Sequence, residues 1–176
     1  MWDVIVEEAK AESRLWTDAL LPLDERELVP VFSPLAEERF RLGLETIYEG
    51  YLVHYGTPRV FAPEDPDNAL LLGDYLYAHG LVRIAAFGLV DAVADLSELI
   101  SLSSQLRAED SPGDGSLWAA TAAMLGAGPA LDAARAALRL RGDASALDAS
   151  ARDAAGDAPV DRAISLDELL QELHAA

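Results

Sequence analysis

Cysteine is absent from the 176 residues. Its absence excludes disulfides and thiolate zinc sites, and makes a reducing cytoplasm the simplest expected location. Basic residues are scarce: 13 Lys and Arg stand against 31 Asp and Glu, for a formal charge of −18. So acidic a surface repels phosphate backbones and anionic lipid, so neither nucleic acid nor a membrane surface is an expected partner. The plain consequence of the charge is solubility. Long hydrophobic runs are missing too. Ala69-Leu70-Leu71-Leu72 is typical of the longest, far short of the ~20 residues a membrane-spanning helix needs. Met1-Trp2-Asp3 runs directly into Glu7 and Glu8, unlike the basic start and apolar stretch of a secretory leader. β-branched residues are sparse outside short clusters. Alanine and leucine dominate instead, which favours helix over sheet.

Familiar catalytic signatures are lacking as well. His54, His79 and His174 show no ligand spacing with one another. No glycine-rich loop sits between a strand and a helix, and no serine stands in a nucleophile elbow. Asp65 and Asp67 read as a helix-capping loop in preference to a cation site.

What is present is helical spacing throughout, in one domain without internal repeats. A first helix is expected from about Trp2 to Leu21, stopped by Pro22. Ser33-Pro34 reads as an N-cap and a proline at the first helical position, opening a helix toward Tyr51. Gly56 and Pro58 break the pattern, and Asp65-Pro66-Asp67-Asn68 caps the next helix, about Asn68 to Phe87. This is the most apolar stretch, greasy on several faces, and is expected at the centre of a bundle. Beyond Gly88, Leu89, Val93, Leu96 and Ile100 form a stripe at spacings of four, three and four. A loop at 110–115 precedes shorter helices, Ser116–Leu125 and Pro129–Arg141. Residues 142–163 show little apolar periodicity, and Ser165-Leu166-Asp167-Glu168 reads as a capping box for a last short helix. The expected organisation is a helical bundle over 1–157 and a short tail over 158–176.

One run stands out. Gly73-Asp74-Tyr75-Leu76 places a glycine and a carboxylate inside the most apolar helix, where glycine costs about 1 kcal/mol against alanine. A carboxylate buried there would need a partner. Leu71 to Ala78 resembles the "aGDyLla" helix of trans-type isoprenyl diphosphate synthases, the polyprenyl synthetase family. Upstream, His54-Tyr55-Gly56-Thr57-Pro58-Arg59-Val60 is similar to that family's "RRGkPtv" loop. Glu45-Thr46-Ile47-Tyr48-Glu49 falls where the family carries its first DDxxD motif. Downstream, Ser103 to Leu106 lies near the "GQ" segment. Ser116 to Ala120, with Leu125 to Gly128, is similar to the "KTasLf" helix, and Ala146 to Asp153 lands where "fQi.DDilD" would be. The likeness spans residues 36–157. The GDY run and the Gly-x-Pro loop carry it, and the rest follows by order and spacing.

The resemblance implies an all-α bundle like a truncated isoprenoid-synthase fold. In that family two aspartate clusters face each other and hold magnesium against an allylic diphosphate. Here the first cluster keeps only Glu45 and Glu49, with Thr46 at an inner aspartate position. The second keeps only Asp153, with Ala149 and Ser150 where aspartates would stand. The diphosphate-binding arginine pair is replaced by His54-Tyr55. Each lost cation removes a contact worth about 1.5–3 kcal/mol. The implied role is a non-catalytic, regulatory or chain-length-determining subunit, most like the small component of two-component heptaprenyl-type diphosphate synthases. Its expected partner is a catalytic subunit or a second copy, with a prenyl chain as candidate ligand. No cofactor is expected, and magnesium enters only if the reduced acidic site works. Two other readings stay open: a diverged ligand-binding or interaction module outside isoprenoid synthesis, and a prenyltransferase with a reduced metal site. The Leu89–Ile100 stripe is expected to face a partner.

Overall fold

The computed structural model describes residues 1–172 and is all-α. Its nine α-helices among the described residues are α1 (Trp2–Glu12), α2 (Arg14–Asp18), α3 (Arg41–Tyr55), α4 (Pro66–Ala85), α5 (Val90–Ala108), α6 (Asp114–Ala123), α7 (Asp132–Arg141), α8 (Ser145–Ala155) and α9 (Asp157–Glu172). Strand-like pairing among the described residues is an isolated antiparallel bridge between Leu20 and Phe61. No helix among the described residues is long and apolar enough to cross a membrane. His174 lies outside the described residues.

Several helix ends follow from local chemistry. Asp65 Oδ1 accepts from the Asp67 and Asn68 N–H groups at 2.7 and 3.4 Å, and Pro66 takes the first helical position of α4. The helix therefore starts two residues before Asn68. The expected Trp2–Leu21 helix is instead split at Ser13. That residue is extended, and its hydroxyl accepts from Leu15 N at 3.1 Å, so it caps a new helix and does not continue the old one. Ser33-Pro34 opens only a 3₁₀ turn. Ala36 and Glu37 are extended, a second 3₁₀ turn follows, and α3 begins at Arg41. Buried Phe32 and Phe40 pin both ends of this detour.

The centre of the bundle is α3, and not the more apolar α4 as the sequence suggests. Every residue from Gly43 to Val53 is buried. By contrast α4 leaves Leu70 and Leu71 more than half exposed and buries one stripe: Leu72, Gly73, Leu76, Gly80 and Ile84. The two helices meet along paired glycines. A Cβ on Gly80 would lie 2.7 Å from the Gly43 carbonyl, and one on Gly50 would lie 2.9 Å from the Gly73 carbonyl. In each helix the glycines are seven residues apart, about two turns, so both fall on one face. Close backbone approach is what their helix-propensity cost secures. Against α3 pack Phe32 and Trp118, stacked at 5.6 Å, with Tyr48 edge-on to both at 5.1 Å.

The C-terminal region differs most from expectation. Leu147 and Ala151 of α8 are fully buried, and Val160, Ala163 and Leu170 of α9 join the main core. Residues 158–172 are thus part of the bundle and not a tail. The expected capping box at 165–168 lies inside α9, which starts after Gly156 (φ 87°). Two buried residues four apart suffice for α8, because alanine elsewhere lets its neighbours approach. So sparse a stripe gives weak periodicity. In α5, Leu96 is fully buried in the chain's own core, while Leu89, Val93 and Ile100 pack half-buried at its margin. The stripe expected to face a partner is mostly used internally.

Candidate functional site

Glu45 and Glu49 lie one turn apart on α3 and do share a face, but that face points inward. Both are fully buried against Arg59 of the following loop. Arg59 Nη1 donates to Glu45 Oε1 at 2.6 Å and to the Val29 carbonyl at 2.7 Å. Its Nε donates to Glu49 Oε2 at 3.0 Å, while the Arg59 and Val60 N–H groups both reach Glu49 Oε1 at 2.9 Å. Trp2 and Tyr48 rings cover the guanidinium at 4.6 and 5.0 Å. Burial pulls the Arg59 pKa down, but Glu45 and Glu49 outweigh it and the net direction is upward. Two acids and one base make a closed triad of net charge −1, eased by the Val31 N–H at 3.3 Å from Glu45. Thr46, at an expected aspartate position, donates to the Leu42 carbonyl and accepts from Arg83, each at 2.7 Å.

This arrangement does not fit magnesium. The ion needs several hard oxygens around an accessible centre, whereas three of the four glutamate oxygens are spent on Arg59 and backbone donors and the fourth, Glu45 Oε2, is sealed in the interior. Asp153 is exposed on α8, beside an Arg152 paired with Asp148 and Asp161 at 2.7 Å. Among the described residues no group of three His, Cys, Asp or Glu is arranged to hold a metal. The two acidic motifs are therefore not brought together.

The GDY run is split by exposure. Gly73 is buried, and a Cβ there would overlap the His54 imidazole, so the position takes glycine. Asp74 is exposed, correcting the expectation of a buried carboxylate, and sits 3.4 Å from His54 Nε2. Burial lowers the His54 pKa, with Asp74 opposing, so the imidazole is neutral at pH 7 and the pair is weak. Tyr75 is half-buried against Trp16 and His79.

A second polar cluster lies where α3, α5, α6 and α9 converge, and sequence reasoning missed it. Tyr48 donates to Asp167 Oδ1 at 2.7 Å, and Gln171 Nε2 donates to the same oxygen at 2.8 Å. Tyr51 donates to Asp114 Oδ2 through a short hydrogen bond. Arg107 Nε donates to the Tyr51 oxygen, and its Nη2 pairs with Asp114 Oδ2, both at 2.7 Å. Burial pushes the Asp167 carboxyl up to about 6; the Tyr48 hydrogen bond opposes that rise and nearby Asp114 adds to it. Burial likewise raises both tyrosines, with Asp167 acting on Tyr48 and Asp114 on Tyr51. Above these groups opens a cavity of about 400 Å³. Its rim is the loop after α5, turned by Asp110 in a left-handed conformation (φ 49°) and by Gly113 (φ 114°). The partners are separated by 119 and 63 positions; the one local hint is the i, i+3 spacing of Tyr48 and Tyr51, which puts both hydroxyls on one side of α3.

Elsewhere Asp95 and Arg135 form a buried pair at 2.9 Å. Asp95 also accepts from Gly126 N at 2.9 Å and Arg135 donates to Thr121 at 3.3 Å. These bonds tie α5, α6 and α7 together.

Comparison with models of protein families, with curated proteins and with solved structures finds no match to this chain.

Proposed function

We propose that the chain is a non-catalytic helical subunit of the kind its resemblance to prenyl diphosphate synthases implies, acting through association and not through metal-assisted ionisation. The observation that carries the non-catalytic half is the Glu45–Arg59–Glu49 triad. The positions aligned with the family's first metal motif are paired from within, by a guanidinium of the same chain. A cation seeking those carboxylates would have to displace Arg59 and expose an apolar core, so the reduced-metal-site enzyme is the least supported reading. The subunit half rests on the order and spacing of the motifs over residues 36–157.

Two measurements test the halves separately. The purified chain is incubated with magnesium, isopentenyl diphosphate and a labelled allylic diphosphate; no elongation is expected. Co-expression with a synthase of intact aspartate motifs from the same genome is expected to yield a stable complex with an altered product chain length. Turnover by the chain alone, retained after removal of contaminating synthase, overturns the first half. Failure of the pair to associate overturns the second and leaves an interaction module outside isoprenoid synthesis. That second reading is favoured by the exposed Val82, Phe87 and Val90 around the α4–α5 turn.

A further inference from the structure

We infer that the cavity between α5, α6 and α9 is a binding site for a small organic cation carrying a primary or secondary ammonium group, seated against Oδ2 of Asp167. Asp167 is only 2% exposed, and its two oxygens are used unequally. Oδ1 takes the hydrogen bonds of both Tyr48 and Gln171. Among the described residues no side chain or N–H donates to Oδ2. That oxygen lies over Gly115, 3.3 Å from where a Cβ would stand, on the cavity wall.

Charge selects the ligand. Among the described residues the cavity is lined by Asp110, Asp114, Asp167 and Glu168 against a single cation, Arg107. Arg107 donates to Tyr51 and pairs with Asp114, and it offsets Asp167 only in part, so that carboxyl stays raised. An anion would meet four carboxylates, and a neutral donor would satisfy Oδ2 without balancing its charge. An ammonium group does both, which is what a buried carboxylate requires. Leu106, Pro112 and Ile164 offer apolar wall to a short carbon chain, and a volume of about 400 Å³ admits a molecule of several heavy atoms.

The site should be pH-dependent. Asp167 faces Tyr48 and Tyr51 from α3, Arg107 from α5, Asp110 from the loop, Asp114 from α6, and Glu168 and Gln171 from α9. Its carboxyl is raised by burial to about 6, so it carries the charge an ammonium needs at pH 7.5 and loses it by pH 5.

The test is calorimetric titration of the full chain with 1,4-diaminobutane, with 1,4-butanediol and succinate as neutral and anionic counterparts, at pH 7.5 and 5.0. Saturable diamine binding is expected at pH 7.5, at least tenfold weaker at pH 5.0 and lost in Asp167→Asn. Gly115→Ala keeps the carboxylate and favours the helix but narrows the approach to Oδ2. It should weaken the diamine at least tenfold with the circular dichroism unchanged, which keeps the test decisive if Asp167→Asn folds poorly. Carbon-detected titration of Asp167 should show its midpoint falling as diamine is added. Equal binding of diamine and diol overturns the inference. So does diamine binding that both variants retain, which would be attraction to the acidic surface alone. Binding of succinate alone overturns it too, and would assign the cavity to anions through Arg107.

Discussion

Two groups of carboxylates lean on α3, and they have opposite fates. Glu45 and Glu49 meet a guanidinium with two faces of donors, close over it, and are sealed by Trp2 and Tyr48. Asp114 of α6 and Asp167 of α9, which reach the same helix through Tyr51 and Tyr48, share one arginine that pairs directly with the first of them. The first group is a structural joint between α3, the Arg59 loop and the irregular segment at Val29 and Val31 before it. The second is left with surplus acid facing a cavity. Burial alone does not decide what a carboxylate does. The number of cations brought to it by tertiary packing does.

The largest expected effect breaks the closed group. Arg59→Met leaves two buried carboxylates without a cation and should cost about 3–5 kcal/mol, read as a shift in the denaturant midpoint. Adding Glu45→Gln and Glu49→Gln should recover most of that loss. If the triple variant is no more stable than the single one, the charge balance is not what the triad contributes.

The next effect belongs to the open group. The ordinary carboxyl value of 3.8 is raised to about 6 in the folded chain, so between these values the folded state binds more protons than the unfolded one. Stability from this group is therefore greatest at low pH and falls as pH rises from about 4 to 6. A shift of this size corresponds to about 3 kcal/mol. Asp167→Asn still accepts from Tyr48 and should flatten that slope. Parallel pH profiles of unfolding for the two proteins would refute the assignment.

Between the groups lies Gly50, whose replacement tests whether both depend on the same helix placement. Gly50→Ala puts a Cβ 2.9 Å from the Gly73 carbonyl, a backbone atom that cannot turn aside. A loss of about 1–3 kcal/mol is expected, read by thermal melting, together with a changed Asp167 titration. The smallest effect is at Asp74, exposed and paired only with a neutral His54. Asp74→Asn should change stability by under about 0.5 kcal/mol, and a loss above 1 kcal/mol would show a partner beyond His54.

The legibility of the molecule follows the range of its interactions. The helix ends at Gly56, Asp65 and Gly88 could be read from sequence because a cap or a left-handed turn is decided within a few residues. The central position of α3 is hidden in the sequence for the opposite reason. Glu45, Thr46 and Glu49 lower the hydropathy of α3, and only Arg59, Arg83 and backbone donors from other elements make their burial tolerable. Across α8 and α9 apolar periodicity is faint because the helices are rich in alanine, although Val160, Ala163, Asp167 and Leu170 recur at three, four and three.

An all-helical, strongly acidic chain without thiols is legible from residue order alone, since composition, caps and breakers act locally and do not depend on where a residue ends up. Which acids are neutralised and which remain available was decided only in the tertiary structure. Arg59 reaches its glutamates across a loop, and Asp167 meets Tyr48 across most of the chain. A carboxylate's role depends on the charge that the fold places within a few ångströms of it, and that neighbour is not encoded at any fixed spacing.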